Sequence, residues 1–199
     1  MSKQEAQIKA LEQAIEKLKN VNLAQRCRLL DFAEPDGGKL KFRAFGSDMV
    51  LDAENFEIKN SGTDKPVRIG DKILIFHYLL CDMPINPTGE LITFRDFSGG
   101  QFYWQPFLSR TVEPLVKRIG NNLEILEKNL SRFDWKPEKM GDFGAKVHTI
   151  GKFDITIVYN RGDEEFPAEA KIFFDSCVNK IFNTEDATVL ASRICIGLL

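Results

Sequence analysis

The chain has 199 residues, 43% of them hydrophobic and 28% charged, which is the balance of a globular protein that folds without disulfides or a structural metal. Its net charge of −2 and the absence of a basic stripe argue against nucleic acid as a partner. Because the first residues are charged and no apolar run is long enough to span a bilayer, we expect no secretory signal, no membrane partner and a cytoplasmic location.

The N-terminal third predicts two helices followed by strands. Residues 4–19 repeat apolar side chains at helical spacing, so residues 1–20 are predicted to form a peripheral helix with one apolar stripe. A short helix is predicted over residues 23–32, before the turn signal at residues 35–38. Alternating apolar and polar residues then predict strands over residues 39–45, 48–52 and 56–59.

The middle of the chain predicts a buried helix and an aromatic segment. Residues 72–82 are apolar almost all round, so we expect a central buried helix at about 71–82, with Asp71 as its cap. A short strand is predicted over residues 90–94. A glycine-ended polar loop and a run of aromatic rings follow it.

The C-terminal half mixes helices and strands. Helices are predicted over residues 108–119 and 122–132, with Pro114 in a first turn, and the next stretch, 134–144, is predicted to be irregular. Further strands are predicted over residues 145–150, 152–159 and 170–175, and a last helix from Thr184. Since strands come in runs rather than alternating with helices, we predict an α+β fold with antiparallel sheet segments, in a single domain over residues 1–199.

The cysteines lie far apart, with no C-x-x-C pair, at Cys27, Cys81, Cys177 and Cys195. In the cytoplasm they should be free thiols. Their convergence on a metal is an alternative, but three lie in apolar segments, where a thiol packs as a small hydrophobe. We therefore predict no metal site.

His77 is a candidate ligand in the predicted central helix. Cys81, four residues later, would share its face, but two ligands are too few for a closed zinc site. His77 could instead be the axial ligand of a large planar cofactor, which needs one residue, or a core histidine bonded to a carbonyl. The other histidine, His148, is predicted to lie at the surface.

The stretch of residues 95–104 is the most unusual, because consecutive rings follow a loop whose backbone amides could face an anion. Tyr103 and Trp104 could form the walls of a pocket for a flat ligand, and Arg110 could bind its carboxylate or phosphate. The alternative is that these rings are part of the core.

Several segments together resemble a known family. They are Asp71–Leu80 (DKILIFHYLL), Thr88–Gly100 (TGELITFRDFSGG), Gly162–Ala170 (GDEEFPAEA) and Asn183–Asp186 (NTED). From Leu23 onward the chain is similar to an uncharacterised family of anaerobic bacteria and archaea, domain of unknown function 3786. Some members carry an iron–sulfur module with four cysteines, which this chain lacks. The resemblance implies anaerobic one-carbon, corrinoid or redox metabolism.

Three functions remain open. The first is a non-catalytic, cytoplasmic binding protein for a corrinoid or another tetrapyrrole such as haem, with His77 as axial ligand, Tyr103 and Trp104 as walls and Arg110 as anchor. The second is an accessory module for an iron–sulfur or corrinoid protein, docked through the first helix. The third is an enzyme that uses Arg95, Asp96 and the acidic loop at residues 160–169.

Overall fold

A computed structural model describes residues 2–63 and 65–199, which fall into two compact units. The first unit runs up to Asn86 and includes Ile150–Lys152, whereas the second contains Pro87–Thr149 and Phe153–Leu199. Each unit combines helices with antiparallel strands, which confirms the predicted α+β class. No helix within the described residues is both long and apolar enough to cross a membrane.

The first unit pairs a small antiparallel sheet with helices. Its elements are α1 (Lys3–Leu18), α2 (Leu23–Leu29), β1 (Lys39–Ala44), β2 (Ser47–Asp52), β3 (Ile58–Asn60) and α3 (Ile69–Leu79). The strands lie in the order β3-β2-β1, and Ala44 at the end of β1 also pairs with Ile150. Alternate residues of β1 are buried, as its sequence pattern predicts.

Helix α3 is the buried centre of the first unit. Residues all round it are buried because apolar side chains occupy every face, which confirms the prediction of a central buried helix. The predicted cap is wrong, because the N-cap is Arg68 and Asp71 lies buried inside the first turn. An acidic side chain there still complements the positive end of the helix dipole.

Helix α1 packs against α3 through the C-terminal half of its apolar stripe. Ala14 and Leu18 are buried, whereas Ile8 near the other end is 43% exposed. The helix begins with a capping box, in which Ser2 and Glu5 each bond the other's backbone N–H. Half of the predicted surface helix is therefore part of the core of this unit.

The second unit is built on a longer antiparallel sheet. Its elements are β4 (Leu91–Ile92), α4 (Trp104–Arg110), α5 (Val112–Ile119), α6 (Leu123–Leu130), β5 (Trp135–Glu138), β6 (Phe143–Ile150), β7 (Phe153–Asn160), β8 (Glu169–Asp175) and α7 (Thr184–Gly197). The strands lie in the order β5-β6-β7-β8-β4, with Ile150 of β6 assigned to the first unit. Short 3-10 turns at Phe94–Asp96 and Val178–Lys180 complete the unit.

Two local predictions for this unit are wrong. The predicted helix over residues 108–119 is two helices that meet at Thr111, whose hydroxyl donates to the Phe107 carbonyl at 2.6 Å. Pro114 does lie in the first turn of α5, as predicted. The stretch predicted to be irregular contains β5, which pairs with β6 from Trp135↔Val147 to Glu138↔Gly144.

Candidate functional site

A stack of aromatic rings forms the base of the candidate site in the second unit. The rings of Phe94 and Phe107 lie parallel with their centroids 4.1 Å apart, and Trp104 stacks on Phe107 at 5.6 Å. Phe94 and Phe107 are buried. Because stacked buried rings have little freedom to move, they give the residues around them a rigid floor.

A tight turn between Phe94 and the start of α4 projects two further rings outward. The Gly100 N–H donates to the Phe97 carbonyl at 2.8 Å, and the Phe102 N–H donates to the Gly99 carbonyl at 3.0 Å. A Cβ atom at Gly100 would lie 2.0 Å from the Phe94 carbonyl oxygen, so only glycine fits there. The turn leaves Phe102 90% exposed and Tyr103 60% exposed.

The start of α7 forms the opposite wall. Asn183 and Asp186 form a capping box that fixes this end of the helix. The Thr184 hydroxyl donates to the Ser98 carbonyl, and the Thr188 hydroxyl donates to the Thr184 carbonyl at 2.9 Å. Both hydroxyl protons are therefore engaged, while both oxygens keep lone pairs that can accept a hydrogen bond.

Between these walls lies an open pocket of about 380 Å³. It is lined by Tyr103, Pro106, Phe107, Arg110, Thr184, Glu185 and Thr188. Arg110 and Glu185 are both exposed, and neither side chain forms an ion pair or a hydrogen bond with any residue in the described ranges. The pocket thus combines an aromatic floor with one unpaired cation and one unpaired carboxylate, which suits an organic ligand with a polar end.

The structure brings together two of the four predicted site residues. Tyr103 and Arg110 line the pocket, whereas Trp104 packs half-buried in the ring stack with the Arg95 guanidinium 4.4 Å from its ring centroid. His77 belongs to the first unit, where it lies half-buried on α3.

Sequence reasoning missed the α7 wall, formed by Thr184, Glu185 and Thr188. The Thr-Glu-Asp sequence indicates a helix start, and an acidic residue in a first turn is explained by its favourable interaction with the helix dipole. No feature of the sequence ties that helix start to Arg110, which lies 75 positions earlier (185 − 110).

Helix α3 ends before Cys81, so the helical spacing that would align Cys81 with His77 does not reach it. The C-cap is Leu80, and the Cys81 thiol donates to the Met83 carbonyl at 3.3 Å. All four cysteines are free and buried, as expected for thiols that pack as small hydrophobes. Within residues 2–63 and 65–199, no three His, Cys, Asp or Glu side chains are grouped so that they could hold a metal ion.

The carboxylates of the enzyme hypothesis are bound within their own turns. The backbone N–H of Thr93 and then its hydroxyl donate to Asp96, which lowers the pKa of that carboxyl. In the acidic loop, the backbone N–H groups of Phe166 and Glu165 lower the pKa of Asp163. Carboxyls with lowered pKa values are poor general acids or bases near neutral pH.

His148 lies on β6, half-buried, and forms a pair with a carboxylate. Its Nδ1 atom is 3.2 Å from the nearer carboxylate oxygen of Asp154, and Lys146 Nζ is 3.7 Å from the other. The His148 side chain is 28% exposed, so it is less exposed than the predicted surface position implies. The arrangement can form a charge-assisted pair on the sheet when the imidazole is protonated.

A comparison with known protein families gives a match over most of the chain. The family model described as "Domain of unknown function (DUF3786)" covers residues 22–196, which is most of the chain. No match was found among the curated proteins or the solved structures. The match spans both units and includes every residue of the pocket.

Proposed function

Since this chain belongs to the DUF3786 family, whose description names no reaction, we propose from its own residues that it is a non-catalytic binding protein for a large planar cofactor, a corrinoid or another tetrapyrrole such as haem. The observation that carries the proposal is the pocket in which exposed Tyr103 and unpaired Arg110 lie together. A flat conjugated ligand can stack on the tyrosine ring while an acid group on its edge binds the guanidinium.

The size of the pocket limits how such a cofactor binds. A volume of about 380 Å³ is near the lower end for ligand sites, and the pocket is open. It admits one edge of a macrocycle with its acidic side chain. The rest of the ring stays outside, beside Tyr103 and the exposed Phe102.

His77 is the proposed axial ligand, and because it belongs to the first unit its role is tested separately from that of the pocket. The residue is half-buried on α3. Axial coordination of a tetrapyrrole metal requires a single neutral imidazole nitrogen. The proposal includes that this binding takes place in the cytoplasm of an anaerobic cell and serves an iron–sulfur or corrinoid protein.

An anaerobic ultraviolet–visible titration with hydroxocobalamin and with haem tests the proposal. We expect a saturable spectral shift. In Arg110→Gln the affinity read from this shift should fall about tenfold, since one charge-assisted hydrogen bond is lost. His77→Ala should change the spectrum of the bound metal. The matched control is Arg118→Gln, which removes an exposed arginine of α5 outside the pocket. The absence of any shift with both cofactors would refute the proposal.

A second candidate is an accessory module that docks on a partner protein through α1. The exposed Ile8 favours it, since Ala14 and Leu18 are used in packing against α3 while Ile8 is not buried. Deleting the helix would also remove buried side chains, so Ile8→Ser is the better variant. Loss of a specific partner from an anaerobic pull-down with Ile8→Ser, at unchanged stability, would support this candidate over cofactor binding.

A further inference from the structure

Two opposite charges without partners share the pocket between α4 and α7. Arg110 ends α4, and Glu185 stands in the first turn of α7. From this arrangement we infer that the group bound here carries an oxyanion next to an N–H donor, on an aromatic or other flat body. The inference rests on the proposed binding function and deepens it, because it names the chemistry of the part of the ligand that enters the pocket.

Glu185 should make a simple acid a weaker ligand than an acid that also carries an N–H donor. A carboxylate that binds the Arg110 guanidinium also comes under the influence of the Glu185 carboxylate, and like charges repel each other. An N–H group beside the ligand's carboxylate removes this conflict, because it donates to Glu185 while the oxyanion accepts from Arg110. Both charged side chains then gain the partners that they lack within the described chain.

The uncharged lining supports the same assignment. Thr184 and Thr188 use their hydroxyl protons on backbone carbonyls, so their hydroxyl oxygens are left only as acceptors. Acceptors on the α7 side match a donor on the ligand. Pro106, Phe107 and Tyr103 provide an apolar surface for a ring. A volume of about 380 Å³ holds a ligand head of the size of an aromatic amino acid.

The N–H donor can come from two sources, an ammonium group or an amide. Three probes distinguish these sources. The probe 3-phenylpropionate has only the ring and the carboxylate. The two N–H probes are phenylalanine, which adds an ammonium group, and N-acetylphenylalanine, which adds an amide N–H. Each is titrated into the full chain labelled with ¹⁵N, and the affinity is read from amide shifts of residues around the pocket. Because one charge-assisted hydrogen bond separates the ligands, we expect 3-phenylpropionate to bind about tenfold more weakly than the better of the other two.

Two variants test the roles of the charges. Arg110→Gln should weaken all three probes, because each carries the carboxylate. Glu185→Gln should remove most of the preference for an N–H donor while 3-phenylpropionate binds as well or better. The matched controls are Arg118→Gln and Glu113→Gln, which change exposed charges of α5 outside the pocket and should leave all three affinities unchanged.

The possible outcomes separate this inference from the proposed function. Equal binding of the three probes overturns the inference and leaves a pocket for flat acids. Failure of all three to bind also overturns it, and the tetrapyrrole titration then decides the proposed function by itself. Selective binding of an N–H probe without any tetrapyrrole binding supports the inference and rejects the cofactor.

Discussion

At the scale of single residues, Asp175 carries a dense set of hydrogen bonds. Its carboxylate accepts from the backbone N–H groups of Thr88 at 3.0 Å, Gly89 at 2.7 Å and Cys177 at 2.9 Å, and from the Thr88 hydroxyl at 3.0 Å. Burial alone would raise the pKa of this carboxyl, but the backbone donors outweigh it and hold the pKa well below its usual range. Asp175 thereby ties the segment before β4 to the end of β8.

Replacing this carboxylate should destabilise the protein. Asp175→Asn puts an amide NH₂ group where the carboxylate accepts from N–H groups, so we expect a loss of about 2 kcal/mol in the free energy of unfolding at pH 7. Urea denaturation followed by circular dichroism measures it. Asp36→Asn is the matched control, because Asp36 is exposed and its side chain forms no such bonds. Equal stability of the two variants would contradict a stabilising role.

The contribution of the Asp175 carboxylate to the free energy of unfolding should decrease at low pH. Because its pKa is lower in the folded than in the unfolded chain, its contribution is complete above the unfolded value of about 3.9. This contribution to the free energy of unfolding declines as the pH falls from the unfolded-state pKa toward the folded-state pKa. The stability difference between wild type and Asp175→Asn should therefore shrink below about pH 4. A difference that stays constant from pH 7 down to pH 3 would show that the charge is not involved.

Gly100 is the second residue whose role is tested directly. In Gly100→Ala the new Cβ would overlap the Phe94 carbonyl, so the turn that projects Tyr103 must move, at a cost of about 1–3 kcal/mol. We expect a lower melting temperature and weaker binding in the pocket. Gly62→Ala is the control, since a Cβ there meets nothing within 4 Å. If Gly100→Ala melts with the control and binds normally, the turn does not need glycine.

Whether the role of a residue could be predicted from the sequence depends on how close its partners lie along the chain. Tyr103 and Arg110 stand out in the sequence because rings and a cation occur within eight positions of one another. Asp175 does not, since Thr88 and Gly89, which bind it, lie 87 and 86 residues earlier. The sequence around an isolated aspartate at a strand end does not indicate such distant hydrogen-bond donors.

At the scale of elements, the start of α7 both stabilises the helix and presents the pocket wall. Asn183→Ala removes the side chain that accepts from the Asp186 N–H, so we expect a loss of about 1 kcal/mol in unfolding free energy. Binding of the N–H probes should weaken as well, because Thr184 and Glu185 follow the cap directly. Asn179→Ala, at an exposed position in the preceding turn, is the control. Unchanged stability in Asn183→Ala would mean that the cap is dispensable.

Elements with a continuous pattern were predictable, and those defined by a partner were not. Helix α3 and strand β1 follow from their apolar periodicity alone. Strand β5 reads Trp-Lys-Pro-Glu, and a proline between charged residues is unfavourable for a strand except at an edge, where β5 lies beside β6. The break between α4 and α5 comes from the conformation of one buried threonine, Thr111, which helix periodicity does not record.

At the scale of the whole molecule, the thiols report on each unit separately. Cys27 and Cys81 belong to the first unit, whereas Cys177 and Cys195 belong to the second. Burial, with help from Glu34, raises the pKa of Cys27 to about 11, and burial raises the pKa of Cys195 to about 12. Burial and then Asp175 raise the pKa of Cys177 to about 12. Since the thiolate is the reactive form, these thiols should be alkylated only when the chain unfolds.

This property tests the predicted single domain. Ile150–Lys152, at the turn between β6 and β7, belong to the first unit. Ile150 pairs with Ala44 there, and the Lys152 N–H donates to the Tyr78 hydroxyl at 3.0 Å. Unfolding of these strands therefore removes bonds from the first unit as well. If the chain is a single domain, as predicted, all four cysteines should become reactive at the same urea concentration, as measured by pulsed alkylation and mass spectrometry.

Tyr78→Phe tests the same prediction with a substitution in the first unit. The variant removes the acceptor of the Lys152 N–H bond and should cost about 1 kcal/mol. If the chain unfolds as one cooperative domain, the midpoints for Cys177 and Cys195 should fall together with those for Cys27 and Cys81, although the substitution lies in the first unit. A shift confined to Cys27 and Cys81 would mean that the two units unfold independently.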